Sequence, residues 1–313
     1  MSANKIGSVV VIATGGTIAG VSTEATDNIG YTAGQVGIDE LLRNVAQPYT
    51  QGRVIAEQLA QINSKDMSFE LWLQLAKRVR HFLARDDVSG ILITHGTDTL
   101  EETAYFLQRV CRPTKPVVLT CAMRPTTALA PDGPQNLLDA LAVAREPEAR
   151  GVVVVCAGTV HGAYDVQKVH TYKLDAFSSG DGGPIAFVEE GRLRMLRNWP
   201  LAHDWHASPA MDNIANWPRV EIVMSYAGAT GGIVHALVAQ GVAGLVVAGT
   251  GNGTVHHALL GALLEAQEAG VRVVRATRCL NGRVLALPED AIPDSNGLSA
   301  VKARVALMLD LLN

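Results

Sequence analysis

The sequence predicts an α/β protein of two domains, each a mainly parallel sheet covered by helices, with the larger domain first. Three observations carry that expectation. Apolar, β-branched runs such as Val9-Val10-Val11-Ile12 and Ile91-Leu92-Ile93 suit strands covered on both faces. They alternate with stretches of helical period, the signature of a parallel sheet. At 313 residues the chain is long for a single core, and an aperiodic tract rich in Trp and Pro interrupts the alternation near residue 200.

In chain order, the strand at Val9–Ile12 breaks into Thr14-Gly15-Gly16-Thr17-Ile18-Ala19-Gly20. Glycines around one threonine make a loop that bends tightly and lets a ligand approach the backbone. It is not G-x-G-x-x-G and lacks the lysine of a phosphate-binding loop. Residues Val21–Gly37 are polar with no clear period, as expected of a mobile segment over a site, and Tyr31 is their single aromatic residue. Tyr31 fits a packing anchor or a phenolic hydroxyl offered to something beneath it. Helices are expected at Ile38–Val45 and Phe69–Leu83, with a strand at Val54–Ile62 and a strand-to-helix turn at Asn63–Met67 that contains Ser64 and Lys65.

The strand at Ile91–Ile93 stops at a polar knot, Thr94-His95-Gly96-Thr97-Asp98. Thr99 followed by Glu102 reads as a capping box, and Leu100, Ala104 and Leu107 give the next helix an apolar face. Thr97 and Asp98 thus occupy a strand-to-helix turn, the rim where open α/β sheets bind ligands. Taken alone they also fit ordinary helix-cap residues. A strand at Val117–Cys121, a loop at Arg124–Pro134, a helix at Leu137–Arg145 and a strand at Val152–Cys156 follow. Thr159–Gly183 reads as irregular and polar. Lys168 within it fits a solvated surface group, or a partly buried amine of the kind that serves as a base.

The expected domains are residues 1–190 and 219–313, joined by 191–218. The second unit should alternate strand Val220–Met224, helix Val234–Gln240, strand Gly244–Ala248, helix Val255–Ala269, strand Val271–Ala276 and helix Ala300–Leu312. Its Gly249-Thr250-Gly251-Asn252-Gly253-Thr254 join resembles a dinucleotide fingerprint only superficially, because the third glycine comes one residue early.

Composition excludes several classes. A net charge of −4 without a basic cluster offers no footprint for nucleic acid or an anionic membrane. No apolar run approaches the ~18 residues of a membrane span. No signal-peptide core precedes Val9, so a cytoplasmic protein is expected. The four cysteines form no C-x-x-C, and Cys121 and Cys156 sit in apolar runs, so buried reduced thiols are expected. The nine histidines show no metal pattern; His203-x-x-His206 falls in the connection and His256-His257 are adjacent. No metal or cofactor is expected, and the lack of G-x-S-x-G argues against a serine elbow. Two threonines in glycine-flanked turns, with a carboxylate, a lysine and a tyrosine, supply the parts for covalent acyl chemistry.

These residues carry a strong resemblance to the bacterial-type L-asparaginase family. ATGGTIAG at Ala13–Gly20 and ITHGTDTLEETAYFL at Ile93–Leu107 match its two signatures. YTAGQVG at Tyr31–Gly37, AMRP at Ala122–Pro125, DGPQNL at Asp132–Leu137, DVQK at Asp165–Lys168 and KARV at Lys302–Val305 match around them. The likeness is weakest over Gly191–Pro218 and Leu280–Gly297.

The resemblance implies a homotetramer of two intimate dimers, each site completed by a neighbouring subunit, with L-asparagine as substrate and L-glutamine as a weaker one. It implies that Thr17 is the nucleophile, that Tyr31 is its lid partner, and that Thr97, Asp98 and Lys168 form a triad. Ser64 and Asp98 match positions holding the substrate's α-carboxylate and α-ammonium, and Ala122 a backbone contact near the side-chain amide. Lys65 departs from the Gln or Glu common there; an ammonium cannot accept a hydrogen bond from the substrate amine, so Lys65 should point away or pair with an acid. Thr254 stands where relatives carry Asn or Ser, and spacing from Arg278 puts the neighbour's acid at Glu289. A broad glutaminase–asparaginase, an amidase subunit for tRNA-dependent amidotransfer and a non-catalytic amino-acid binder are the alternatives.

Overall fold

The computed structural model describes residues 7–43, 45, 53–200, 214 and 216–312. It divides into two compact units, Met1–Asp204 and Trp205–Asn313.

The first unit is built on strands β1 (Ser8–Gly15), β2 (Val54–Ile62), β3 (Val88–Thr94), β4 (Pro116–Thr120) and β5 (Gly151–Cys156). Neighbours among these five pair in parallel. Helices α1 (Ile38–Arg43), α2 (Phe69–Leu83), α3 (Leu100–Cys111) and α4 (Gly133–Arg145) connect them. Val9, Val11, Leu92, Val118 and Val153 share one core with Leu41 and Leu42 of α1 and Leu137 and Ala140 of α4. The alternate residues Val10, Ile12, Ile91, Ile93, Val117 and Leu119 face the other way and are equally buried. Both faces are therefore covered, which is why these strands read as continuous apolar runs. Trp72 of α2 stacks on Phe106 of α3 at 4.7 Å.

Where polar, irregular sequence was expected, the chain forms β6 (Thr159–Gly162), β7 (Gln167–Lys168) and β8 (Phe177–Ser178). β9 (Ala186–Glu189) and β10 (Arg192–Met195) extend the sheet, so paired structure reaches into the segment read as a connection. Antiparallel strands of two to four residues are too short for alternation to register as a period. His203, Trp205 and His206 lie outside the described residues.

The strand order is β10-β9-β6-β5-β4-β3-β1-β2. From β1 the chain moves to one side for β2, then returns to the other side for β3. The order therefore reverses between β1 and β3, and ligands of open α/β sheets bind at such a reversal, outside the carboxyl ends of the strands.

The second unit holds a parallel sheet, β11 (Val220–Met224), β12 (Gly244–Gly249) and β13 (Arg272–Thr277), with α5 (Gly232–Ala239), α6 (His257–Glu268) and α7 (Ala300–Asp310). Its core joins Val223, Leu245, Val247 and Val273 to Val234, Leu259 and Leu263. The Gly249–Thr254 join closes on itself, with Thr250 and Thr254 exchanging backbone hydrogen bonds of 2.8 Å each way. Among the described residues no helix is long and apolar enough to cross a membrane, and no cluster of three or more His, Cys, Asp or Glu could hold a metal.

Candidate active site

Register aligns the two threonine turns. Ala13 of β1 lies beside Thr94 of β3, so Thr17 and Thr97 follow neighbouring strands within four residues of a shared level. Thr14 Oγ1 donates to the Thr94 carbonyl at 2.9 Å and ties the strand ends together. The turns then touch through glycine. A methyl group at Gly16, whose φ is +83°, would collide with the Gly96 backbone. A methyl group at Gly96 would lie 2.5 Å from Ser64 Oγ. Three turns thus converge through positions where a side chain has no room.

Each threonine hydroxyl has its own partner. Thr17 Oγ1 and Tyr31 Oη share a hydrogen bond of 2.5 Å. The segment that presents Tyr31 is held by a backbone pair between Val21 and Thr32, and the Tyr31 ring fills the space a Gly20 side chain would need. Lys168 Nζ donates to Thr97 Oγ1 and to Asp98 Oδ1, both at 2.7 Å. The Lys168 side chain is 20% exposed and Asp98 51%, so this exposed ion pair fixes geometry rather than adding much stability. Lys168 is itself positioned by Glu101 of α3, whose Oε1 accepts from the Lys168 backbone N–H at 3.2 Å.

Ser64 Oγ accepts from the Asp98 N–H at 3.1 Å. Thr99 stands at the N-cap of α3 without capping it; its hydroxyl donates to the Ser64 carbonyl at 2.7 Å. The expected capping box is corrected on that point: a capping oxygen would accept a helix N–H, whereas the Thr99 hydroxyl is turned toward the Ser64 carbonyl. Lys65 pairs with Asp66, Nζ lying 2.6 and 2.8 Å from its carboxylate oxygens. Ala122 is buried at the end of β4, and the loop after it is held by Asp132, which accepts from the Met123 and Arg124 N–H groups at 2.9 Å.

Thr254 and Glu289 belong to the second unit and are exposed there. Thr254 Oγ1 lies 2.7 Å from Thr250 Oγ1, and Glu289 precedes Asp290, which pairs with Arg275. Two of the thiols are poor nucleophiles. Cys121, hydrogen-bonded to Cys156 and fully buried, is held well above the usual thiol range, and burial pushes Cys111 up to about 12.

Sequence reasoning passed over Glu101 and His95. His95 is fully buried, and desolvation lowers it to about 4 against a partial opposing effect from its bond to the Gly96 carbonyl. The sequence signal available was its place inside the polar knot, flanked by apolar strand and glycine.

Fold and site together define an α/β protein with two partnered threonine hydroxyls at a sheet's topological reversal. The chain belongs to the asparaginase family: the N-terminal asparaginase model matches residues 8–201, and the glutaminase/asparaginase C-terminal domain matches 219–313. It is 39% identical to L-asparaginase 2 of Bacillus subtilis over 306 residues, 96% of this chain and 81% of that protein. It is 37% identical to the glutaminase-asparaginase of Pseudomonas fluorescens over 316 residues, 98% of this chain and 87% of that one. Among solved structures, a probable cytoplasmic L-asparaginase from Campylobacter jejuni superposes with a TM-score of 0.92 at 38% identity, covering 97% of this chain and 95% of that chain.

Proposed function

We propose that this chain hydrolyses L-asparagine to L-aspartate and ammonia through a threonine acyl-enzyme, with weaker action on L-glutamine. The observation that carries the reading is the meeting, at one strand reversal, of two threonine turns whose hydroxyls each have a proton-exchanging partner, Tyr31 for Thr17 and Lys168 for Thr97.

Thr17 Oγ1 attacks the side-chain amide carbon, and its proton passes to Tyr31, the neighbour at 2.5 Å, as the phenol hands its own proton on toward the leaving nitrogen. The C–N bond breaks, the leaving nitrogen takes up a proton, and ammonia departs. Water then attacks the aspartyl ester on Thr17, its proton relayed through Thr97 and Lys168 along their 2.7 Å contact; the ester C–O bond breaks, the Thr17 oxygen takes up a proton and aspartate leaves. Backbone N–H groups of the two turns suit the developing oxyanion, and Ala122 borders the amide. The Asp98 carboxylate, half exposed, receives the substrate ammonium, while Ser64 offers a hydroxyl to the α-carboxylate. Lys65, neutralised by Asp66, does not oppose that ammonium.

Residues 1–190 carry this machinery. Residues 219–313 supply Thr254 and Glu289 to a neighbouring subunit's site, in a homotetramer made of two intimate dimers and located in the cytoplasm. A broad glutaminase–asparaginase is the second reading, favoured by the relative of that name at 37% identity.

Ammonia release from both amides, measured side by side, tests the proposal. The parent should show the higher specificity constant for asparagine, and Thr17→Val should lose about a thousandfold or more in kcat. A Thr17→Val variant with near-parent turnover removes the acyl-enzyme. Equal specificity constants favour the broad enzyme, and heat of asparagine binding without ammonia makes the chain a binder.

A further inference from the structure

Behind the two threonine turns runs a line of buried polar groups that the proposed reaction does not use. Trp72 Nε1 of α2 donates to Thr103 Oγ1 of α3 at 2.9 Å. Thr103 Oγ1 lies 3.0 Å from His95 Nε2, and His95 Nδ1 lies 2.7 Å from the Gly96 carbonyl oxygen. Trp72 is 3% exposed, and His95 and Thr103 are 0%.

Chemistry sets the direction of this line. An indole N–H can only donate and a carbonyl oxygen can only accept. Nδ1 must therefore carry the ring proton. The uncharged ring leaves Nε2 as an acceptor, which the Thr103 hydroxyl fills with its single hydrogen. Every hydrogen in the line has one place, and the ring has one tautomer.

The line ends on the peptide that leads into Thr97. A peptide bond is planar, so holding the Gly96 oxygen also aims the Thr97 N–H. Gly96 is moreover the backbone on which Gly16 and Ser64 pack, so a tilt there displaces the Thr17 turn as well. We propose that Trp72, Thr103 and His95 are positioning residues whose one-way hydrogen-bond relay holds the Gly96–Thr97 peptide in the orientation that catalysis requires. The proposal rests on the reading of Thr17 and Thr97 as a hydrolytic site.

Thr103→Val keeps the shape and removes the hydroxyl, while Thr103→Ser keeps the hydroxyl. The Val variant should lose at least about tenfold in kcat for asparagine with KM within about threefold, since small misplacements at a reacting centre cost of that order or more. The Ser variant should recover most of it. A folded Val variant with kcat within about twofold of the parent overturns the proposal, as does a Ser variant no better than Val. Imidazole nitrogen chemical shifts of the parent protein need no Thr103 variant. With His95 assigned by comparison with single His→Gln variants of the other histidines, they should show Nδ1–H and a bare Nε2 from pH 5 to about 8; an Nε2–H ring overturns the relay. A parent that releases no ammonia but shows the expected tautomer sinks the hydrolytic reading and leaves the relay geometry standing.

Discussion

At the scale of single residues, the site separates groups that meet solvent from groups sealed behind them. Asp98 and Lys168 sit at the rim, where an ion pair steers and orients. His95 sits deep, and its environment makes it a stability sensor. Burial lowers it from 6.5 to about 4, so between those values the unfolded chain binds the proton that the folded chain refuses. Folding free energy contributed by His95 is therefore complete above about pH 6.5 and is lost as pH falls toward 4. The full loss is on the order of 3 kcal/mol. A His95→Gln variant lacks this titration. Calorimetric melting of parent and variant at pH 7 and pH 4.5 should show the parent falling further over that interval. An equal fall in both would mean that the imidazole is hydrated or already charged when folded.

Among elements, glycine decides whether the turns can meet. Gly16 combines a left-handed φ of +83° with backbone contact to Gly96, so a methyl group there is strained and crowded together. Gly16→Ala should lower the melting temperature, by an amount corresponding to at least about 2 kcal/mol, and reduce kcat at least about tenfold. Gly37, with nothing within 4 Å of an added methyl group, provides the control: Gly37→Ala should leave both within error. A harmless Gly16→Ala would show that the loops behind Thr17 and Thr97 are more separable than their packing indicates. The Tyr31 segment is tied down at several points: Val21 and Thr32 exchange backbone hydrogen bonds, the Gly34 N–H donates to the Gly16 carbonyl at 3.1 Å, and the Gln35 and Val36 N–H groups donate to the Ala19 carbonyl at 2.7 and 3.0 Å.

For the whole molecule, the proposal shares each site between subunits, and Thr254 and Glu289 are exposed in the second unit. Light scattering should give a mass about four times the 33.1 kDa chain. Glu289→Gln should raise KM for asparagine by about tenfold with little change in kcat, because it removes a charge that binds ground state and transition state alike. A monomer with full activity would return the whole site to one chain and dismiss Glu289 from it.

Local chemistry alone determined much of this protein. Strands β1, β3, β4 and β5 and helix α2 were legible because both-faced burial and amphipathic period leave their marks in consecutive residues. The pairing of Thr17 and Thr97 with glycine was legible because tight turns admit few residue types. The resemblance carried the expectation that Lys65 would point away or pair with an acid, and it pairs with the next residue, Asp66. Short strands such as β7, which carries Lys168, left no period to read. What only the tertiary structure decided is the strand order. It places β3 beside β1 rather than beside β2, and thereby brings Gly96 onto Gly16. The packing of a separate two-stranded ribbon and of α2 against α3 brings Lys168 onto Thr97 and the indole of Trp72 onto Thr103 behind His95. These contacts join residues tens of positions apart, and no pattern within a window of neighbours can carry them; they exist because burying apolar faces selects which elements lie side by side.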